Sequence, residues 1–158
     1  MNAPSEEYCR LIDRICEIKQ LADPRRKHER CDLVVDGVPF TLLPSTSLDG
    51  QVDGVAYFCD FGPLPKECRV LALEYLLETN LHMFGPDNPA FSRNPQTDHA
   101  VLAGRLPLDR ITAEAAIEAM GGLADFARQW QATHFLSPQE QASGRPARGF
   151  AADSLSTR

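Results

Sequence analysis

A helical segment near the middle of the sequence constrains the fold more than any other feature. It is predicted over residues 65–81, because Pro65 suits a first helical position and apolar residues follow around most of the helix circumference. These apolar residues are Val70, Leu71, Leu73, Tyr75, Leu76 and Leu77. One small sheet cannot cover all of them, so such a helix must be buried on two sides.

The length of the chain indicates what provides the second covering surface. With 158 residues, the chain fits one compact domain and leaves little room for another. We therefore expect a second copy of the chain to cover this helix, which makes the protein a homodimer. Burial between the sheet and another helix of the same chain is the alternative.

Two further helices and five strands are predicted around this segment. The first helix covers residues 5–22, with Ser5 as its N-cap, and the last covers residues 112–135, with Thr112 as its N-cap. Alternating apolar residues predict strands at 31–35, 38–43, 52–61, 90–94 and 99–108. Asp36-Gly37 favours a tight hairpin turn between the first two strands. Pro39 predicts that the second strand lies at an edge or has its free side at that position.

These elements define the fold class and the domain organisation. Their order is α-β-β-β-α-β-β-α, an α+β fold in which an antiparallel sheet packs against helices and the second helix forms the dimer contact. Residues 1–136 are predicted to form the domain. Residues 137–158 contain few apolar residues and are predicted to be a flexible C-terminal tail.

The charge distribution excludes several classes of partner. The formal net charge is −6, and the segment between Cys31 and Asp125 holds fourteen acidic and five basic residues. Such a surface repels phosphate backbones and anionic lipid, so we expect no nucleic-acid partner and no membrane partner. A basic run at residues 25–30 has no interleaved aromatic residues and is predicted to be a solvated loop. Five cysteines without a C-x-x-C pair, and no signal-peptide pattern, predict a cytoplasmic protein.

Motifs for catalysis and cofactor binding are missing from the sequence, which has no H-E-x-x-H, G-x-S-x-G, P-loop or G-x-G-x-x-G. The best catalytic set is Cys59, His99 and Asp98, a thiol with a base and an orienting carboxylate. Cys59, however, shares a strand face with apolar residues, as a small buried hydrophobe does. The histidines show no metal-ligand spacing with the cysteines. We expect no catalytic residue, metal or cofactor, and favour a binding module whose exposed strand edge takes an extended peptide.

Residues 71–108 carry a pattern of apolar and turn residues that resembles a known family. The pattern consists of Leu76, Leu77, Asn80, Pro89, Phe91 and Leu106-Pro107-Leu108. In order and spacing it is similar to the CesT (Tir chaperone) family of type III secretion effector chaperones. The element order, size and acidity agree, and the resemblance covers residues 5 to about 135. Asn94-Pro95 stands where the family usually has an aspartate.

The resemblance implies a function and a set of binding residues. Members of the family are small cytoplasmic homodimers that bind the N-terminal segment of effector proteins in extended form before export, without nucleotide. The implied cargo-binding residues are Ile12, Ile15, Ile18, Leu33, Val35, Phe40 and Leu42. The implied dimer-interface residues are Leu73, Leu76, Leu77 and Asn80.

The resemblance also implies partners. They are secreted effector proteins and a second copy of the chain, with the export ATPase of the secretion apparatus as a further candidate. Two other functions stay open. One is an interaction or regulatory homodimer of the same fold without export cargo, and the other is a small thiol enzyme built on Cys59.

Overall fold

A five-stranded antiparallel sheet lies at the centre of the protein, in a computed structural model that describes residues 4–147. Its strands are β1 (Cys31–Val35), β2 (Val38–Thr46), β3 (Val52–Pro63), β4 (Ala90–Asn94) and β5 (His99–Pro107), in the order β1-β2-β3-β5-β4. The helices of the described part are α1 (Glu6–Lys19), α2 (Pro24–Lys27), α3 (Arg69–His82), α4 (Ala113–Thr133) and α5 (Pro138–Ser143), with a 3-10 turn at Leu108–Arg110. The predicted α+β class and antiparallel sheet are confirmed, while the short helices α2 and α5 were not predicted.

The hairpin of β1 and β2 forms as its turn residues predict. Asp36 and Gly37 have φ angles of 49° and 83°, the positive values that a type I′ turn requires. The placement of Pro39 at an edge strand is wrong, because β2 lies between β1 and β3. The pairing of β2 with β3 begins only at Phe40, so Pro39 needs no N–H for a hydrogen bond to β3. The alternative, that the strand has its free side at Pro39, is therefore confirmed.

One face of the sheet carries the hydrophobic core. Alternate residues of the strands are buried there beneath α1 and α4, and Phe61 of β3 contacts the fully buried Trp130 of α4. The predicted caps position both helices: Ser5 Oγ accepts a hydrogen bond from the Tyr8 amide, and Thr112 caps α4 in the same way. The opposite face of the sheet has no described helix over it, and most of its residues are exposed or half-buried.

Helix α3 packs against the rest of the protomer with one side only. Leu71 and Leu76 are buried, whereas the neighbouring Leu77 is 67% exposed. Asn80 ties the helix to β4, since its Nδ2 donates to the Phe91 carbonyl at 3.0 Å and its Oδ1 accepts from the Phe91 amide at 2.6 Å. Within the described part of the chain, no element covers the other side of this apolar helix.

The C-terminal region differs from the predicted flexible tail. Pro138–Ser143 form α5, which begins with a capping box between Ser137 and Glu140. The buried Glu140 carboxylate accepts hydrogen bonds from the Tyr75 hydroxyl and from the Ser137 and Ala147 amides, and these bonds lower its pKa to about 2. Composition alone cannot show this contact, because Tyr75 is distant in the sequence. Residues 148–158 of the predicted tail lie outside the described residues.

Candidate binding surfaces

The uncovered face of the sheet carries a groove with a volume of about 470 Å³, which we call the outer groove. Its apolar lining comes from β2, β3 and β5 and consists of Pro39, Leu43, Phe58, Val101 and Ala103. Its polar lining consists of Arg30, Thr41, Asp60, Ser92, Arg93 and Asn94. Phe58 is 37% exposed, so an aromatic surface remains available to a partner.

Ion pairs hold the charged residues at two sides of the outer groove. Arg30 Nε lies 2.8 Å from Asp32 Oδ2, and this hydrogen bond lowers the pKa of the Asp32 carboxyl. On the other side, Arg69 and Arg93 both donate to Asp98, which holds the pKa of Asp98 well below its usual range. These charged groups already pair with one another. Burial of the apolar lining is therefore the main source of binding free energy that the groove offers to a partner.

The free edge of β1 adjoins the outer groove. In a two-residue hairpin, Val35 and Val38 exchange backbone hydrogen bonds, and alternate residues of β1 then point away from β2. By this alternation the N–H and C=O groups of Asp32 and Val34 face the open edge. The Val34 side chain is 57% exposed on the groove side of the sheet. A peptide added at this edge would therefore gain both main-chain bonds and an apolar contact.

A second apolar surface lies on α3 and the residue after its C-terminal turn, and we call it the α3 stripe. It consists of Val70, Leu73, Leu77, Leu81 and Phe84. Leu73 is half-buried, while the other four side chains are 66%, 67%, 75% and 90% exposed in chain order. The spacings of 3, 4, 4 and 3 residues are symmetric about Leu77, and the four side chains within the helix lie within about 40° of one direction, while Phe84 follows the helix end. In an antiparallel contact between two copies, this spacing allows residues to pair across a twofold axis.

The structure puts most of the implied cargo-binding residues in the core. Six of the seven are buried, at 5% exposure or less: Ile12, Ile15, Leu33, Val35, Phe40 and Leu42. The stripe of α1 and the inner face of the sheet pack on each other, so these side chains are covered within the protomer. Only Ile18, at 38%, reaches the surface. The residues that sequence reasoning missed lie on the opposite strand face, where Phe58 alternates with Cys59.

The implied dimer residues are divided in the same way. Leu77 is exposed, whereas Leu76 is 3% exposed and belongs to the core. Leu73 packs partly against that core, and Asn80 is engaged with β4. Leu81 and Phe84 were missed, although they continue the helical spacing of three and four residues beyond Leu77.

The catalytic alternative built on Cys59 is not assembled. Cys59 is fully buried on the core face of β3, where burial raises the pKa of its thiol to about 12. His99 Nδ1 lies 2.9 Å from the Asp60 carboxylate, and Asp98 is bound by arginines instead.

Among residues 4–147, no group of three potential metal ligands is found. None of the helices in that range combines the length and hydropathy needed to cross a lipid bilayer.

Comparisons with known proteins identify the fold. No protein-family model matches the sequence, and no curated protein matches it. Among solved structures, a chain of the ExsC–ExsE complex is similar with a TM-score of 0.59 and 20% identity, over 78% of this chain and 90% of that chain. A chain of the HopA1–SchA chaperone–effector complex gives 0.56 and 15% identity, over 80% and 94%. A chain of the ExoT–SpcS complex from Pseudomonas aeruginosa gives 0.52 and 15% identity, over 79% and 97%.

The chain has the same fold as these three solved chains, one of which comes from a chaperone–effector complex. The fold that the resemblance of residues 71–108 implies is therefore confirmed. Within this fold, the outer groove and the α3 stripe are two exposed apolar surfaces of the described residues.

Proposed function

We propose that the protein is a cytoplasmic type III secretion chaperone. It binds the N-terminal segment of one or more effector proteins in extended form and keeps them soluble and competent for export. The outer groove beside the open edge of β1 is the observation that carries this proposal. It occurs in a fold shared with a chain from a chaperone–effector complex, and it offers apolar contact and backbone pairing without an assembled catalytic set.

The proposed binding mode combines two kinds of interaction. The backbone of the effector segment pairs with Asp32 and Val34 at the free edge of β1, which extends the sheet by one strand. Apolar side chains of the paired residues then lie against Val34. Phe58 lies on β3, two strands in from β1, and contacts the part of the segment that continues across the outer groove. Each well-buried apolar anchor contributes about 1.5–3 kcal/mol, so several anchors offset the cost of ordering the segment. The bound effector segment stays extended because its partners are a strand edge and a sheet surface.

The cargo surface in this proposal differs from the set that the family resemblance implies. Ile18 keeps a direct role, since its side chain is partly exposed at the end of α1. Buried residues such as Ile15 and Phe40 act indirectly, because their packing positions α1 and β2 beneath the surface. Phe58 and Val34 replace them as contact residues.

We also propose that the protein is a homodimer through the α3 stripe. In an antiparallel pairing centred on Leu77, Leu81 of one protomer lies opposite Leu73 of its partner, and Phe84 lies opposite Val70. Each contact then occurs twice, as a twofold axis requires. The exposed apolar residues of α3 support this assignment, because a lone helix with such a face would expose it to water.

The test is isolation of the tagged full-length protein from its native cell, with identification of the proteins that co-elute. We expect a secreted effector, bound through an N-terminal segment that trypsin cleaves in the free effector and spares in the complex. Phe58→Asp should abolish co-elution. Leu48→Asp is the matched control, because Leu48 is a fully exposed loop residue outside the groove lining and should tolerate the same change.

Two outcomes would contradict the proposal. Equal co-elution with the Phe58→Asp and Leu48→Asp variants would show that the outer groove does not hold the effector. Co-elution of a protein that is never secreted, together with normal secretion after deletion of the gene, would favour an interaction or regulatory homodimer of the same fold.

A further inference from the structure

A cluster of basic residues lies close to the start of β1, the edge strand of the sheet. It consists of Arg25, Arg26 and Lys27 of α2, a short helix that contacts both α1 and β1, and we call it the α2 cluster. Arg25 and Arg26 are exposed, and Lys27 is half-buried. Among residues 4–147, these three side chains form no ion pair. This run was expected to be a solvated loop. Its first part instead belongs to a short helix whose basic side chains have no ion-pair partner.

Most carboxylates near the α2 cluster are already engaged. Asp13 of α1 lies 2.6 Å from His28 Nε2, and Asp32 of β1 lies 2.8 Å from Arg30. Glu17 of α1 pairs with Arg14 at 2.8 Å. The carboxylates that remain are Asp23, before α2, and Glu29, after it. The three basic residues of the cluster therefore outnumber the two carboxylates that have no ion-pair partner, on a chain whose formal net charge is −6.

The positive charge acts at the strand edge itself. The pKa of the Asp32 carboxyl is lowered first by hydrogen bonding from Arg30, and the charge of Lys27 adds to this effect. A carboxylate at the start of β1 is thus favoured in its charged form, although the rest of the chain is acidic. Arg25 and Arg26 on the same short helix add to the positive potential near this end of the strand.

We propose that the effector segment bound at β1 carries acidic residues next to its apolar strand, and that these residues contact the α2 cluster. This inference rests on the proposed function, since it names the chemistry of the segment that the β1 edge accepts. The net charge of the protein makes the opposite prediction, because an acidic protein attracts basic peptides at long range. An experiment can therefore distinguish the effect of the α2 cluster on peptide binding from the effect of the net charge of the protein.

The test measures binding of synthetic peptides to the full-length protein by fluorescence anisotropy at low ionic strength. Each peptide has a central run of alternating valine and threonine, flanked on both sides by three glutamates, three glutamines or three lysines. Flanks on both sides make the comparison independent of strand direction. We expect the glutamate peptide to bind about fivefold more tightly than the glutamine peptide, as two or three exposed charge pairs allow, and the lysine peptide to bind least. Added salt should weaken the preference.

Variants locate the preference on the molecule. Arg25→Gln with Arg26→Gln should remove the advantage of the glutamate peptide and leave the glutamine peptide unchanged. Lys66→Gln with Arg110→Gln is the matched control, since it removes two exposed charges of the same sign outside the α2 cluster and should keep the preference. Equal binding of all three peptides, or tighter binding of the lysine peptide, would overturn the inference and leave the proposed function standing. If no peptide binds, both the inference and strand addition at β1 are wrong.

Discussion

The outer groove and the α3 stripe are both exposed and apolar, but they are built differently. The outer groove is bordered by paired charges and by a strand edge with outward-facing backbone groups. The α3 stripe lies on a helix, whose backbone groups are satisfied internally, and its side chains are symmetric about one residue. A surface that must accept an extended chain needs backbone donors and acceptors, whereas a surface that meets its own copy needs symmetry.

This difference separates the two proposed roles in sequence as well as in space. The side chains of a strand point to one face with period two, while the side chains on one face of a helix recur every three or four positions. A substitution can therefore remove one role and leave the other.

Leu77→Asp should convert the proposed dimer into a folded monomer. Leu77 lies at the centre of the α3 stripe, so the twofold axis places two copies of the substitution against each other. Loss of two leucine contacts at about 1.5–3 kcal/mol each weakens association at least hundredfold, before the charge repulsion is added. Sedimentation equilibrium over a range of concentrations measures this change. Leu48→Asp is the control and should remain dimeric.

Leu76→Asp, at the neighbouring position of the same helix, provides a second reference. Leu76 is 3% exposed in the protomer core, so an aspartate there should unfold the chain instead of only separating two copies. Circular dichroism distinguishes the two cases, because the Leu77→Asp monomer keeps its helical signal. An unchanged dimer for Leu77→Asp would refute the proposed interface.

The contrast between Leu76 and Leu77 also shows what the sequence could predict. Most signals that act within a few residues were reliable: Ser5 and Thr112 cap their helices, and Asp36-Gly37 turns the first hairpin. Pro65 is an exception, because α3 begins only at Arg69. The same local rules predicted every strand. Such signals depend on the chemistry of neighbouring residues, which the sequence displays directly.

The sequence could not predict which element covers each surface. The same apolar spacing on α1 and on the inner strand face is typical both of a binding site and of a core. In the structure, Ile12 and Phe40 are part of the core. The charged residue Glu140 looked like part of a polar tail, yet it is buried against Tyr75. Periodicity gives the direction of a side chain and composition gives its average polarity, but neither identifies its partner.

Asn80→Ala should lower the stability of the protomer and leave both binding surfaces intact. Asn80 joins α3, which carries the stripe, to β4 at the far edge of the sheet through two hydrogen bonds to Phe91. Removing them leaves a backbone donor and acceptor of Phe91 without partners, which costs about 2 kcal/mol. Urea unfolding at a fixed protomer concentration measures the loss. The exposed Glu78→Ala on the same helix is the control, and an equal effect of both changes would show that Asn80 does not anchor β4.

Val34→Pro should have the smallest effect and tests the feature that distinguishes the outer groove from the α3 stripe. The Val34 N–H faces the open edge, so proline at this position removes no bond between β1 and β2. The fold and the dimer should persist, while affinity for an extended segment falls about tenfold through the loss of one main-chain bond. Leu33→Pro is the opposite case, because the Leu33 N–H pairs with β2 and its loss should destabilise the hairpin. If Val34→Pro binds the effector segment as tightly as the unaltered protein, the segment lies in the groove without joining the sheet, and side chains alone hold it.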